Sequence, residues 1–238
     1  MTDMVFSNNM KAIILAGGKG KRLKSITDFV PKPLISLDNI PIIEWQIRYL
    51  KKFGVKTIII CTGYKTEQIE NFLKIKNNFG VKIIFSKEKI PLGTGGAIKQ
   101  AARHIKEKSF FVLNGDVITN IDIRKLQKKE NTIAAITLKT KFGVLGIKDN
   151  KISKFSEKKE IADLWMNAGL YHLTKNLVKD LPKKGDIEKT TFPNYAKKGK
   201  LNLNKFKNVF WHSIDSYKDI EECTIEIKSR KFIKFVAK

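Results

Sequence analysis

Through the first half of the chain, continuous apolar runs alternate with amphipathic stretches. Ala12 to Leu15, TIIICT (57–62), VKIIFS (81–86) and FFVLNGD (110–116) are short and mainly apolar. Such runs predict strands, and the continuous TIIICT one buried on both faces. Between them, PIIEWQIRYLKKFG (41–54), TEQIENFLKI (66–75) and GGAIKQAARHI (95–105) predict helices. In the first of these, Ile43, Ile47 and Leu50 recur at helical spacing. Pro41 stands where a first turn tolerates proline, and Gly54 marks the end. The order βαβαβαβ through residue 116 predicts an α/β fold, a doubly wound and mainly parallel sheet with right-handed crossovers. Ligands on such sheets bind at the carboxyl ends of the strands.

After residue 130 the pattern changes. TIAAITLKT, FGVLGI, KISKFSE and NAGLYHL are shorter strand candidates and predict an antiparallel extension with a sugar- or acceptor-binding role. Helices are expected near 174–181, 188–198 and 216–230. No repeat or low-complexity linker divides the chain, so residues 10–238 read as one domain with halves at 10–130 and 131–238. Residues 1–9 read as a flexible leader before Met10.

Composition narrows the function classes. The chain has 238 residues and is 42% hydrophobic, enough for one well-filled core. It holds no apolar run of membrane-spanning length, so no membrane insertion is expected. The first nine residues lack the basic-then-apolar order of a secretory signal. Two distant cysteines, Cys61 and Cys223, form no metal-ligand spacing and fit a reduced, cytoplasmic setting. The net charge of +24 comes from 42 Lys and 5 Arg spread over the whole chain. Nucleic-acid recognition favours Arg forks, and no nucleic-acid motif is present. The charge reads as a lysine-rich solvated surface, with no nucleic-acid partner expected. Its field would still draw in an anionic small substrate.

The candidate chemistry begins at residues 13–23, IILAGGKGKRL. The loop cannot be a P-loop, which needs G-x-x-x-x-G-K-[ST]. It is also not a dinucleotide fingerprint: from Gly18, the third glycine position is Leu23, and TIIICTG carries no acidic residue for a ribose. What remains is a glycine loop whose backbone N–H groups can face a phosphate closely. Arg22 adds a multi-donor fork suited to pyrophosphate. Nine residues beyond Arg22 comes PKPL (31–34), whose prolines are expected to hold Lys32 on a stiff, extended segment.

LAGGKGKRL followed by PKPL resembles the sugar-1-phosphate nucleotidyltransferases, with Pro41 and Glu44 in the places of that family's next proline and acidic residue. The resemblance runs from Met10 to about Glu222. It implies a Rossmann-like nucleotidyltransferase fold and assigns Leu15, Ala16, Gly17, Gly18, Gly20 and Lys21 to nucleotide binding. PLGTGGAI (91–98) resembles the nucleotide-side loop, where Gly93, Gly95 and Gly96 would let backbone approach a base or ribose. LNGDVI (113–118) resembles the strand-end motif whose carboxylate, here Asp116, holds Mg²⁺ with phosphate oxygens. WHSIDSYKD (211–219) would place the second metal ligand at Asp215; its competing reading is the N-cap of the last helix. FSEKK and NAGLYHL resemble sugar-side motifs and imply roles for Glu157, Lys158, Asn167 and Gly169, with Gly143 facing the sugar through its backbone. Arg22 and Lys32 would be the catalytic cations. The chain departs from the family pattern at Lys21, Lys159 and Ser213, where Thr, Pro and Asp are usual.

The resemblance implies transfer of a nucleotidyl group from a nucleoside triphosphate to a sugar 1-phosphate with Mg²⁺ as cofactor. PLGTGGAI leans to guanylyl transfer onto mannose- or manno-heptose 1-phosphate. WHSIDSYKD and CTGYK (61–65) resemble the cytidylyl branch, which keeps cytidylyl transfer open. The three departures also leave open a regulatory homologue that binds nucleotide sugar without turnover. A homo-oligomer is compatible with the family.

Overall fold

The computed structural model of the chain describes residues 10–140, 142–157 and 160–229, the side chains of 139 and 160–163 excepted. The expected leader, 1–9, lies outside them. The main sheet contains β1 (Lys11–Leu15), β2 (Thr57–Thr62), β3 (Lys82–Lys87), β4 (Ser109–Asn114), β5 (Thr132–Lys139), β6 (Glu160–Thr174) and β7 (Asn202–Phe206). Their spatial order is β7-β5-β6-β4-β1-β2-β3. All run parallel except β6, which is antiparallel to β4 and β5. The expected α/β class with a mainly parallel sheet is therefore present.

Strand side chains alternate between faces, so neighbouring residues build two separate cores. On one face Ile14, Ile58, Ile60 and Leu113 pack with Ile43, Ile47 and Leu50 of α1 (Ile42–Lys52) and Ile69 and Leu73 of α2 (Thr66–Ile75). On the other, Ile13, Ile59, Val112 and Tyr171 pack with Ala97, Ile98 and Ala101 of α3 (Gly93–Ala101) and Phe192 of α4 (Thr191–Lys197). Every residue of β2 is buried, which explains why its sequence does not alternate. Each such isoleucine contributes roughly 2 kcal/mol relative to exposure. A third cluster holds Leu23, Ile42, Trp45, Ile118 and Ile214 against Cys223 and Ile227 of α5 (Tyr217–Lys228). This cluster pins the end of the glycine loop, through Leu23, to the second half of α5.

The second half is woven into the same sheet rather than forming a separate meander. Thr132–Lys139 pairs in parallel with Asn202–Phe206, a strand that the sequence reading did not anticipate. NLNKF carries two Asn and a Lys, residues poor in strand propensity, and its alternate positions are exposed on the sheet edge. The antiparallel component is β6 together with a hairpin, Val144–Lys148 against Lys151–Ser156. Register shifts along β6, one of them between Asn167 and Tyr171, hide a fifteen-residue strand from a simple period-two reading.

Candidate active site

The loop after β1 is held at both ends by backbone hydrogen bonds. The Ala16 N–H donates to Cys61 O at 2.9 Å, and the Leu23 N–H to Gly20 O at 2.9 Å. Gly20 has φ +62°, and a Cβ there would meet Thr27 Cγ2 at 2.9 Å, so the turn requires glycine. Leu23 then plugs the third core cluster, which leaves Arg22 on the rim with its side chain 74% exposed. Pro31 is extended, but Lys32–Leu34 forms a short 3₁₀ turn with Pro33 buried. The expected extended segment is thus a turn, closed by the Leu34 N–H donating to Pro31 O at 2.8 Å. The side chain of Lys32 is only 13% exposed.

Asp116 follows β4, and its carbonyl accepts the Ile214 N–H at 2.9 Å. A short antiparallel ribbon, Val117–Thr119 with Trp211–Ser213, carries the chain back to Asp215. The two carboxylates converge on one ammonium: Lys32 Nζ is 2.9 Å from Asp116 Oδ2 and 2.9 Å from Asp215 Oδ1. Arg22 reaches that same Asp215 oxygen at 2.8 Å, and Ser213 Oγ donates to the other oxygen at 3.0 Å. Burial alone would raise the Asp215 pKa. The Lys32 hydrogen bond and charge, with Ser213 and Arg22, outweigh it and hold the carboxyl below the ordinary value. The exposed Arg22 pair is the weaker contribution to stability.

Asp215 does not cap the last helix. Ser216 does: its Oγ accepts the Asp219 N–H and donates in turn to Asp219 Oδ2. Asp219 also takes the Asp215 N–H at 3.0 Å. The Asp215 carboxylate is left to face a cavity of about 280 Å³, lined among others by Leu15, Ala16, Gly18, Gly20, Lys21, Arg22, Lys32 and Asp116.

Gly17 does not line that cavity, and a Cβ on it would stand 2.4 Å from Glu88 Oε1. The glycines of PLGTGGAI also pack against protein. A Cβ on Gly93 would stand 2.7 Å from Gly185, on Gly95 2.9 Å from Pro182, and on Gly96 2.7 Å from the Lys183 carbonyl. Their missing side chains admit the 182–186 segment.

Among the candidates from NAGLYHL, Asn167 Nδ2 donates to Tyr171 Oη at 2.9 Å and Asn167 Oδ1 accepts the Gly169 N–H at 2.9 Å. Tyr171 Oη donates to Glu188 Oε1 at 3.3 Å, and Thr94 Oγ1 donates to the other Glu188 oxygen at 2.5 Å. Gly169 has φ +69° and lies against Asn114. At the base of the hairpin, a Cβ on Gly143 would be 2.7 Å from Phe155 Cζ and 3.2 Å from Glu157 Oε2, so these two candidates are neighbours. Lys158 and Lys159 lie outside the described residues.

A family model, Nucleotidyl transferase, matches residues 11–230. The chain belongs to the nucleotidyl transferase family. Among its relatives, the D-glycero-alpha-D-manno-heptose 1-phosphate guanylyltransferase of Campylobacter jejuni is 39% identical over 196 residues, 79% of this chain and 87% of that protein. The mannose-1-phosphate guanyltransferase of Saccharomyces cerevisiae is 36% identical over 233 residues, 91% of this chain and 64% of that one. The crystal structure of Yersinia pseudotuberculosis HddC complexed with GMP-PN superposes with a TM-score of 0.71 at 28% identity, covering 92% of this chain and 99% of its own. The resemblance to sugar-1-phosphate nucleotidyltransferases therefore stands, with guanylyltransferases among the relatives, and the protein is a nucleotidyltransferase.

Among the described residues no group of three or more His, Cys, Asp or Glu side chains is gathered as a metal nest. Two carboxylates on one cavity wall are still a donor set for a divalent ion, which can take its remaining ligands from phosphate and water. The donor set fits. Likewise, no helix among the described residues is long and apolar enough to cross a membrane.

Four residues of the site escaped the sequence reading. Gly115 lies within LNGDVI and Ser216 within WHSIDSYKD, while Glu188 opens the helix expected near 188–198. Glu88 precedes PLGTGGAI by three residues. Glu88 could have been noticed by its place just before that loop; Glu188 reaches Thr94 only through the fold.

Proposed function

We propose that this nucleotidyltransferase carries out guanylyl transfer, from GTP to mannose- or manno-heptose 1-phosphate, releasing pyrophosphate. The observation that carries the reading is the convergence of Asp116, Asp215, Lys32 and Arg22 at the end of the glycine loop. A phosphate oxygen of the acceptor attacks the α-phosphorus. The bond to the β-phosphate breaks, and the electron pair leaves with pyrophosphate. The nucleophile is already anionic, so no residue has to act as base; the protein positions and neutralises.

Gly18, Gly20 and Lys21 line the triphosphate side. Arg22 holds the leaving pyrophosphate, Lys32 the α-phosphate, and Lys158 the incoming phosphate. Glu157, Asn167 and the Gly143 and Gly169 backbone bind the sugar. Mg²⁺ held by Asp116 and Asp215 would supply charge neutralisation at the phosphates. Two buried, unpaired cysteines accord with a cytoplasmic setting.

Pyrophosphate release measured with each of the four NTPs against mannose-, manno-heptose- and glucose 1-phosphate tests the reading. GTP with a manno-configured acceptor is expected to lead. Preference for CTP with glucose 1-phosphate would establish the cytidylyl alternative, and binding without release the regulatory one. Lys32→Ala and Asp116→Ala are each expected to lower kcat by 10²–10³, about 3–4 kcal/mol of barrier.

A further inference from the structure

In this structure an ammonium stands between the two carboxylates assigned to the divalent ion. Lys32 Nζ makes 2.9 Å contacts with both, in a side chain only 13% exposed. We propose that Lys32 is an internal counter-cation: it holds Asp116 and Asp215 together in the metal-free enzyme and competes with the divalent ion for them. The inference rests on reading these carboxylates as the metal ligands.

The geometry gives three reasons. Both oxygens contact one nitrogen, so they lie within about 6 Å of each other and would repel without a cation between them. The backbone of Lys32 is fixed by Pro31, Pro33 and the 3₁₀ turn, so the ammonium can leave only by rotating its own side chain. Arg22 cannot take its place, since it contacts Asp215 alone and from the solvent side.

An ion entering between the carboxylates displaces the ammonium into the same cavity, where a phosphate is its next partner. One charge then serves two states. A lysine-clamped state nine-tenths populated weakens apparent metal affinity about tenfold.

The test is Mn²⁺ binding to the full chain without nucleotide, read by electron paramagnetic resonance. Lys32→Met is expected to bind about tenfold more tightly than wild type, and Lys32→Arg within about twofold of it. Lys19→Met controls for overall charge, because Lys19 sits on the same loop and packs over the Tyr64 ring. Unchanged or weaker binding by Lys32→Met, or equal tightening by Lys19→Met, overturns the proposal. Asp116→Asn separates the two ideas. If it leaves Mn²⁺ binding intact, the reading of the metal site fails; if it abolishes binding while Lys32→Met does not tighten it, the counter-cation alone fails. Should Lys32→Met not fold, the wild-type chain decides. The lysine side-chain resonance missing from Lys32→Arg must shift on Mg²⁺ titration, and an unmoved signal overturns the proposal.

Discussion

Gly115 and Leu15 meet backbone to backbone. The Gly115 N–H donates to the Leu15 carbonyl at 3.0 Å, and a Cβ on Gly115 would stand 2.1 Å from that oxygen. This seam joins the ends of β4 and β1 and sets Asp116 over the glycine loop. Gly115→Ala pushes against a carbonyl that cannot swing aside like a side chain. It is expected to cost about 3 kcal/mol in urea unfolding. Gly18→Ala is the contrast: nothing lies within 4 Å of its Cβ direction, and it lines the cavity. Its stability should stay within about 0.5 kcal/mol of wild type, while KM for the nucleotide rises. An unchanged KM would show that phosphate does not approach Gly18.

Asp215 and Ser216 are adjacent and should separate cleanly. Ser216→Ala removes the cap of α5 and is expected to cost about 1 kcal/mol of stability, with kcat within a few-fold of wild type. Asp215→Asn keeps the side-chain size and the cap but loses the charge facing Lys32 and Arg22. It should lower kcat by roughly 10²–10³. Thermal unfolding and pyrophosphate release on both variants check the division; similar kinetic losses in the two would refute it.

These contrasts show what the chain reveals before folding. Apolar runs disclosed β1, β2 and β4 because these interior strands are buried on both faces, and β3 because its three central residues, Ile83 to Phe85, are apolar. The glycine loop and PKPL pointed to Arg22 and Lys32, and the structure brings both onto Asp215 at one cavity. Asp215 was legible as a carboxylate but not as a free one, since Ser216 and Asp215 are equally good caps on paper. What stayed hidden depends on long-range closure. Lys32 meeting Asp215 across 183 positions, and Gly93 meeting Gly185, follow from the ribbon and the sheet order, which no local pattern encodes.

His172 gives a pH dependence. It lies buried in β6 with its ring 5.3 Å from that of Phe111, and its Nδ1 has no hydrogen-bond partner among the described residues. Burial lowers its pKa below 6.5, against the opposing Lys129 carbonyl and Glu130 charge. Between the folded value and 6.5, the unfolded chain therefore holds a proton that the folded chain lacks. The stabilising contribution is complete above 6.5 and is lost as pH falls from there through the folded value, by at most about 1.4 kcal/mol per pH unit. Urea midpoints at pH 7.5 and 5.5 should fall less in His172→Phe than in wild type.

Tyr171 links the residues proposed for the acceptor side. Its ring is fully buried and T-shaped against Phe192 at 5.1 Å, while its hydroxyl joins Asn167 to Glu188. Tyr171→Phe keeps the packing and removes the joint, for about 1 kcal/mol of stability. The expected signature is a higher KM for the sugar phosphate with KM for the nucleotide unchanged. Equal rises in both would mean that the network supports the whole site rather than the acceptor.

Glu88 offers a test of base choice. Its Oε2 accepts the Leu92 N–H at 2.9 Å, and its Oε1 lies against the α-carbon of Gly17. It thus stands between the glycine loop and the start of α3. Burial raises its pKa, with the Leu92 N–H opposing, so a ligand that donates to the ionised form would be well placed. Guanine offers N1–H and its exocyclic amine side by side, and a carboxylate accepts both. Inosine triphosphate lacks that amine. On the guanylyl reading, wild type prefers GTP to ITP, and Glu88→Gln, which exchanges an acceptor for a donor, narrows the ratio. The expected change is about tenfold or more in relative kcat/KM, in the range of 1–3 kcal/mol for a matched base contact. Competition assays with both nucleotides read the ratio directly; a ratio that survives the substitution places the base elsewhere.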